Sequence, residues 1–382
     1  PPILNGANSM IINNRNRVEK QLFTKKEGGE LITHFRGQNE NHESMWIANK
    51  VATLNKEGKA MTDMAILYRA NYLSRSLEKS MVDNHIPYVI YGGTRFYDRL
   101  EIKDALCYLR LIVSEDDLSL KRIINNPRRK IGQKTIDRIF SEAKQKGVSM
   151  YQIIKEERLF TGMVQKSLDD FVSMVESWKS KKELAIADLL ELVINESGYR
   201  QMLEEGKEIE RIENLKELII DVTNFQQNNS ETNIDEYLQM VNLYTDRLDS
   251  DEGNYIQLMT IHAAKGLEFD TVFVYGLSEG IFPSERTMAE GIKGLEEERR
   301  LAYVAYTRAK RKLFLTDSMG YSYQMNCPKT SSRFVKEIDE QFIEHVGANA
   351  EFIKEQVEMN RHSIIYNTDE NETRKKQAIF KK

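Results

Sequence analysis

The sequence is poor in cysteine: Cys107 and Cys327 are the only two in 382 residues. They lie far apart, without CxxC spacing or histidine partners, which argues against a disulfide framework or a metal site and fits a reducing cytoplasm. Long apolar runs are missing too. None approaches the roughly 20 residues that a membrane span needs, so no membrane role is expected. There is no surplus of positive charge, with 55 Lys and Arg against 59 Asp and Glu and a net charge of -4. Global attraction to nucleic acid is therefore absent, and any such binding must come from local basic patches or backbone donors. A phosphate-binding GxxxxGK[ST] loop is also lacking, because neither Gly58-Lys59-Ala60 nor Gly206-Lys207-Glu208 satisfies the pattern. Ile234-Asp235-Glu236-Tyr237 holds a carboxylate pair but has no apolar strand before it, so it reads as a helix start. The opening Pro1-Pro2-Ile3-Leu4 carries neither an initiator methionine nor a signal pattern, and the expectation is a piece of a longer product.

What is present describes a soluble globular protein, with 40% hydrophobic and 30% charged residues over a length that suits two domains. The first hundred residues alternate helical and strand periods, the pattern of an α/β layer fold with a parallel sheet. Ile3, Leu4, Ala7, Met10 and Ile11 fall at helical spacing. Glu30 to Phe35 reads as a strand, Glu43 to Leu54 as a helix, Met64 to Tyr68 as a short buried strand, Ser74 to Asn84 as a helix and Tyr88 to Tyr91 as a strand. From about Ile102 to Leu248 helical periodicity is almost continuous. The α/β pattern resumes at Tyr255 to Thr260, continues through Thr271 to Tyr275, and ends in a helix and the strand Lys312 to Leu315. An all-helical domain is thus expected to interrupt the α/β domain. The expected division is 1–95 with 252–345, then 96–251, then a linker at 346–382 that is partly disordered, with Asp246 to Asn254 as the return connection and a lysine-rich tail from Asn367.

Two segments carry the chemistry. In Thr260-Ile261-His262-Ala263-Ala264-Lys265-Gly266-Leu267-Glu268-Phe269 a strand ends in a polar, glycine-containing turn. Ligands of open α/β sheets sit at the carboxyl ends of strands, and Thr260, His262, Lys265 and Glu268 are expected there. In Glu296-Glu297-Glu298-Arg299-Arg300-Leu301-Ala302-Tyr303-Val304-Ala305-Tyr306-Thr307-Arg308-Ala309-Lys310, the residues Leu301, Ala302, Ala305 and Ala309 form a small-residue stripe for packing on a sheet. Glu296 and Arg300 make an ordinary i,i+4 pair on the helix face. Arg308 differs, because it ends the helix just before a strand, where a permanently charged planar fork can reach a nucleotide γ-phosphate.

These segments resemble motifs V and VI of superfamily-one DNA helicases of the UvrD/Rep/PcrA type. The likeness extends through Ile66-Leu67-Tyr68-Arg69-Ala70-Asn71, Ile86 to Ile112 and Leu120 to Ile139, and covers about Ile3 to Ile338. It implies a RecA-like parallel-sheet domain, the second of two, interrupted by a helical insertion, in a bacterial cytoplasmic enzyme. It implies ATP with Mg²⁺, bound mainly by an N-terminal RecA-like domain absent from this chain, and single-stranded DNA and single-/double-strand junctions as partners, with repair, replication or transcription proteins beside them. Residue by residue, it implies Arg308 as the arginine finger, Glu268, Lys265 and Gly266 on the nucleotide side, and Thr260, His262, Arg69 and Asn71 on the single-stranded DNA backbone. Ala305 stands where glycine is usual, and Tyr306 where an aliphatic residue is.

Ile123 to Ile136 reads as two helices joined by a tight glycine-containing turn, like a helix-hairpin-helix element. Backbone N–H groups there can hold a DNA phosphate without reading sequence. Arg128, Lys130, Gly132 and Lys134 are the expected contacts, Arg129 adds charge, and Lys130 stands where the family usually has glycine. Gly92-Gly93 reads as a hinge. Two functions follow: part of a 3′→5′ DNA helicase driven by ATP, or a stand-alone module that binds DNA or protein without catalysis. No nuclease carboxylate–lysine cluster is evident toward the C-terminus.

Overall fold

The computed structural model describes residues 1–15, 28–228, 232–246, 253–322 and 327–347. Most of the return connection from Asp246 to Asn254, and the whole tail from Asn367, lie outside the described residues. The chain divides into two compact units, one of Pro1–Gly93 with Ser250–Lys382, the other of Thr94–Asp249.

The first unit opens with α1 (Pro2–Ile11), β1 (Ile32–Gly37), α2 (Glu40–Lys56), β2 (Met64–Tyr68), α3 (Ser74–Asp83) and β3 (Tyr88–Ile90). The second unit then contributes α4 (Leu100–Ser114), α5 (Asp117–Ile123), α6 (Gln133–Lys146), α7 (Met150–Glu156), α8 (Gly162–Lys179), α9 (Ile186–Glu196), α10 (Tyr199–Glu205), α11 (Ile209–Asn228) and α12 (Ile234–Asp246). The first unit resumes with β4 (Ile256–Thr260), β5 (Phe269–Tyr275), α13 (Glu285–Met288), α14 (Ile292–Tyr306), β6 (Ala309–Ser318), α15 (Arg333–Lys336) and β7 (Ile343–Gly347). Its sheet has the order β3-β4-β2-β5-β6-β1-β7, and every pairing is parallel.

A parallel sheet must be covered on both faces, and β2, inside the sheet, is apolar throughout for that reason. In β2 every residue is buried. Ala65 and Leu67 join one core with Met10 of α1 and Ala302 and Ala305 of α14. Met64, Ile66 and Tyr68 join the opposite core with Ile47 and Val51 of α2 and Leu77 of α3. The alternation of β5 is the same, with Val272 and Val274 on the first face and Phe273 and Tyr275 on the second.

The small-residue stripe of α14 is shorter than its sequence implies, because the helix ends at Tyr306 and Ala309 begins β6. Nor are the charges of α14 all on a wet face. Glu296, Glu298 and Arg299 are buried. Arg299 forks onto Glu337 at 2.7 and 2.8 Å and donates to Asn14 Oδ1 at 2.6 Å, tying the helix to the ends of α1 and α15. Gly294 is required by close approach, since a methyl on it would sit 1.9 Å from the Thr287 carbonyl oxygen.

The second unit is a helical bundle around α4, whose Leu106, Leu109 and Ile112 pack with Tyr108, Tyr151, Phe171, Trp178 and Tyr199. Buried Asp104 at its centre accepts from the Tyr199 hydroxyl at 2.7 Å and from Asn126 Nδ2 at 2.8 Å.

Beneath the carboxyl ends of β5 and β6, α2 presents buried Glu43, whose Oε1 accepts from the Gly276 N–H at 3.0 Å and the Thr316 hydroxyl at 2.7 Å. Burial, assisted by the charge of Asp317, pushes this carboxyl up to about 7 against those two donors. A pKa raised on folding gives stability that is present below the ordinary value of 4.5 and lost as pH rises to about 7. Glu43→Gln should therefore gain on the wild type between pH 5 and pH 8, by about 3 kcal/mol at most; urea melts at both pH values measure the gap, and a constant gap refutes the assignment. Gly294→Ala should destabilise the first unit by about 1–3 kcal/mol, although alanine is the better helix former; a thermal melt at or above the wild-type midpoint would contradict the close approach.

Candidate functional site

Three groups of residues expected to be functional fall at three places. The first is the carboxyl edge of β2 and β4. Arg69 directly follows β2, and Asn71 opens the short turn Asn71–Leu73 that leads into α3. Thr260, the last residue of β4, pairs with Tyr68. The Ile261 N–H continues onto the Tyr68 carbonyl at 2.9 Å, so the chain beyond β4 stays fixed to the end of β2. Thr260 Oγ1 accepts from the Ala263 N–H at 3.3 Å and turns the backbone, leaving His262 exposed. Partial desolvation of the ring, and then the positive charge of Arg69, hold the His262 pKa below its ordinary value.

Arg69 has a partner that sequence reasoning missed. Its Nε lies 3.0 Å from both oxygens of Glu298 and its Nη2 lies 2.7 Å from Oε1. Glu298 Oε2 also accepts from the Ser284 N–H at 3.0 Å, where α13 begins. A signal for this was present in the sequence: Glu298 precedes Ala302 by four positions and Ala305 by seven, which places it on the buried stripe of α14.

The second place is the opposite edge of the same sheet, and it corrects an expectation. Glu268 does not lie at a strand's carboxyl end. It directly precedes Phe269, the first residue of β5, at the amino edge. Five-residue β4 spans roughly 17 Å at about 3.3 Å per residue, and eight residues of connection can reach at most about 29 Å. Residues 261–268 therefore suffice to run from one edge to the other. Buried Ile261 and Ala264 fasten this connection to the core that α14 covers, with Lys265 and Gly266 exposed. Gly266 has φ +88°, which side chains rarely adopt.

Arg308 arrives at the same amino edge from α14. Its carbonyl accepts from the Phe269 N–H at 2.9 Å. Its guanidinium donates through Nη1 to the Leu267 carbonyl at 2.9 Å and through Nε to the Val304 carbonyl at 3.1 Å. The fork is thus aimed by backbone, and among the described residues no carboxylate pairs with it. Glu268, exposed beside it, makes a loose 3.8 Å pair with Lys310.

The third place is the α5–α6 turn of the helical unit. Asn125 Oδ1 gathers the N–H groups of Arg129 at 2.7 Å and Ile131 at 3.3 Å. Lys130 takes φ +63°, the left-handed conformation in which glycine carries no side-chain penalty. Gly132 caps α6 without a side chain. Arg128, Lys130, Gly132 and Lys134 are all exposed. Arg129 is not one of this outward set. It turns in over the Phe171 ring, 5.3 Å from its centroid, and donates to the carbonyls of Ile123 at 2.9 Å, Pro127 at 3.1 Å and Ser197 at 2.9 Å. Arg128 and Lys130, with Met163 and Lys166 of α8, line an open groove of about 460 Å³.

Among the described residues no group of three or more His, Cys, Asp and Glu side chains could hold a metal ion, and no helix is long and apolar enough to cross a membrane.

Residues 1–319 match the family model described as the UvrD-like helicase C-terminal domain. The chain is 40% identical over 366 residues to the ATP-dependent DNA helicase PcrA of Bacillus subtilis, an alignment covering 91% of this chain and 49% of that protein. It is 38% identical over 368 residues to the ATP-dependent DNA helicase PcrA of Staphylococcus epidermidis, covering 92% of this chain and 50% of the relative. The namesake from Staphylococcus aureus strain MRSA252 is 38% identical over 358 residues, covering 90% of this chain and 48% of its own length. The chain spans about half the length of the curated relatives it matches.

The inward set of Arg129 separates two adjacent arginines. Arg129→Lys should destabilise the helical unit by about 2 kcal/mol, because an ammonium cannot fork across several carbonyls. Arg128→Lys should change a urea melt by less than about 0.5 kcal/mol. Equal effects of the two substitutions would contradict the distinction.

Proposed function

The chain belongs to the UvrD-like helicase C-terminal domain family, and on that premise we propose that it is the nucleotide-sensing and DNA-tracking half of an ATP-dependent 3′→5′ DNA helicase. Its work is shared with a preceding RecA-like domain that supplies the phosphate loop and the Mg²⁺ ligands. The observation that carries this reading is the placement of two kinds of chemistry on opposite edges of one sheet. Arg308 and Glu268 stand at the amino edge, with Lys265 and Gly266 exposed on the connection that leads to it. Arg69, Asn71, Thr260 and His262 stand at the carboxyl edge.

On this reading Arg308 is the arginine finger. Charge accumulates on the γ-phosphoryl oxygens in the transition state, and a guanidinium already aimed by the Leu267 and Val304 carbonyls needs little reorganisation to meet it. Glu268 is the group for the ribose or for closing the cleft. At the other edge, Arg69, Asn71, Thr260 and His262 hold the backbone of single-stranded DNA. In the helical unit, Arg128, Lys130, Gly132 and Lys134 surround a phosphate of the duplex ahead of the junction, a sequence-independent contact made by side-chain charge and the N–H groups that open α6.

Both edges belong to one sheet, packed on the same core. Residues 261–268 link them along the face, and α14 covers the same face, with Glu298 reaching the carboxyl edge and its last residue, Tyr306, two positions before Arg308. A closure driven by ATP at one edge therefore moves the DNA contacts at the other as a body.

The test uses ATP turnover with and without single-stranded DNA, on this chain alone and on the chain rejoined to its preceding half. Only the rejoined protein should show DNA-stimulated hydrolysis, and Arg308→Ala in it should lower kcat by about 10³-fold or more while DNA affinity changes little. If neither form hydrolyses ATP, the chain is a binding module and the enzymatic reading fails.

A further inference from the structure

The contact between Arg69 and Glu298 has an asymmetry that a simple ion pair lacks. The Glu298 side chain is 2% exposed and the Arg69 side chain 21%. The anion is therefore inside and the cation is its lid. A carboxylate held this way would be stranded without its arginine, since a buried charge that loses its partner is strongly destabilising. Both oxygens are engaged by Arg69, and Oε2 also takes the Ser284 N–H. The grip uses Nε and Nη2 of Arg69, and Nη1 is not part of it.

We infer that Glu298 is a positioning residue for DNA: it clamps Arg69 so that this arginine meets a DNA phosphate as a pre-aimed but largely neutralised cation. This rests on the reading that Arg69 touches the DNA backbone. Two consequences follow from the geometry. The clamp fixes the direction of Nη1, so little side-chain entropy is lost when a phosphate arrives. It also keeps a negative charge within one guanidinium's width of the phosphate, which weakens the contact and makes it easy to break. A translocating protein must release each phosphate that it grips, and a full-strength arginine at this turn would oppose that release.

The experiment is equilibrium binding of labelled oligo-dT by the rejoined full-length protein over a range of salt concentrations. Wild type is compared with Glu298→Gln, Glu298→Asp, Arg69→Gln and the Glu298→Gln/Arg69→Gln pair. Glutamine keeps the shape and an oxygen for the Ser284 N–H while removing the charge. Glu298→Gln should bind about three- to tenfold more tightly at low salt, and its plot of log Kobs against log salt should steepen by up to about 0.7, the share of one further phosphate neutralised on a single strand. Glu298→Asp keeps the charge and should keep the wild-type slope. In the Arg69→Gln background, Glu298→Gln should add nothing. The inference is overturned if Glu298→Gln leaves the slope unchanged or shallower, if Glu298→Asp steepens it as much as glutamine does, or if the same change appears without Arg69. Should Arg69→Gln itself leave binding and slope at wild-type values, the assignment of Arg69 to DNA fails instead, a result distinct from the other three.

Discussion

An all-parallel sheet imposes one constraint from which the rest of the first unit follows: every strand that ends at the carboxyl edge must be followed by chain that returns to the amino edge. Most returns here carry a helix, as α2 does between β1 and β2. The return from β4 to β5 is made by residues 261–268 without one. A helix would have buried its polar groups along its length or shown them to solvent on one side. An irregular connection can instead hold Ile261 and Ala264 in the core while it presents His262 near its start and Glu268 at its end. One short segment thereby serves both edges of the sheet. The second link is α14, which lies on the same face and packs Ala302 and Ala305 against the strands. Alanines at those positions let the helix approach closely, and Glu298 can then reach across to Arg69 from the buried stripe.

The α/β character of this unit was legible because burial on both faces writes itself into composition. Met64-Ala65-Ile66-Leu67-Tyr68 admits no polar residue, and the strand is found over those same five positions. The last strand, β7, was not legible. Ile343-Glu344-His345-Val346-Gly347 carries two polar side chains and, among the described strands, pairs with β1 alone, at the sheet's edge. Its His345 is accommodated by a side-chain contact with His34, 2.7 Å between the two Nδ1 atoms, across 311 residues of sequence. No local pattern encodes such a pairing. The crossing of 261–268 was misread for a related reason. Motif spacing tells which residues follow a strand, and not how far along the sheet the chain has travelled when it reaches each one.

Charged residues were the hardest to read, because a sequence shows charge and not the direction of a side chain. Arg128 and Arg129 are adjacent and chemically identical, yet one is exposed and the other holds the carbonyls that end α5. Three glutamates in a row, at 296 to 298, look like a wetted helix face, yet the first and third are buried. Arg308 was easier, because a fork at the junction of a helix and a strand has few places to go. Its hydrogen bonds go to the Leu267 and Val304 carbonyls, and no acid among the described residues pairs with it.

That difference in partners sorts the arginines by task. A guanidinium facing carbonyl oxygens keeps nearly all of its charge, because carbonyls orient without neutralising. This suits Arg308, whose proposed role requires full charge at the moment when negative charge develops. A guanidinium facing a carboxylate gives up most of its field, and this is the state of Arg69 at the edge where DNA is proposed to run. Net charge points the same way. At -4 overall, the chain has no broad positive field for DNA, so the proposed hold would come from local contacts whose strength is set one partner at a time. On the proposed reading, strong charge is kept where chemistry would happen once per cycle, and moderated charge where a strand would have to be gripped and let go.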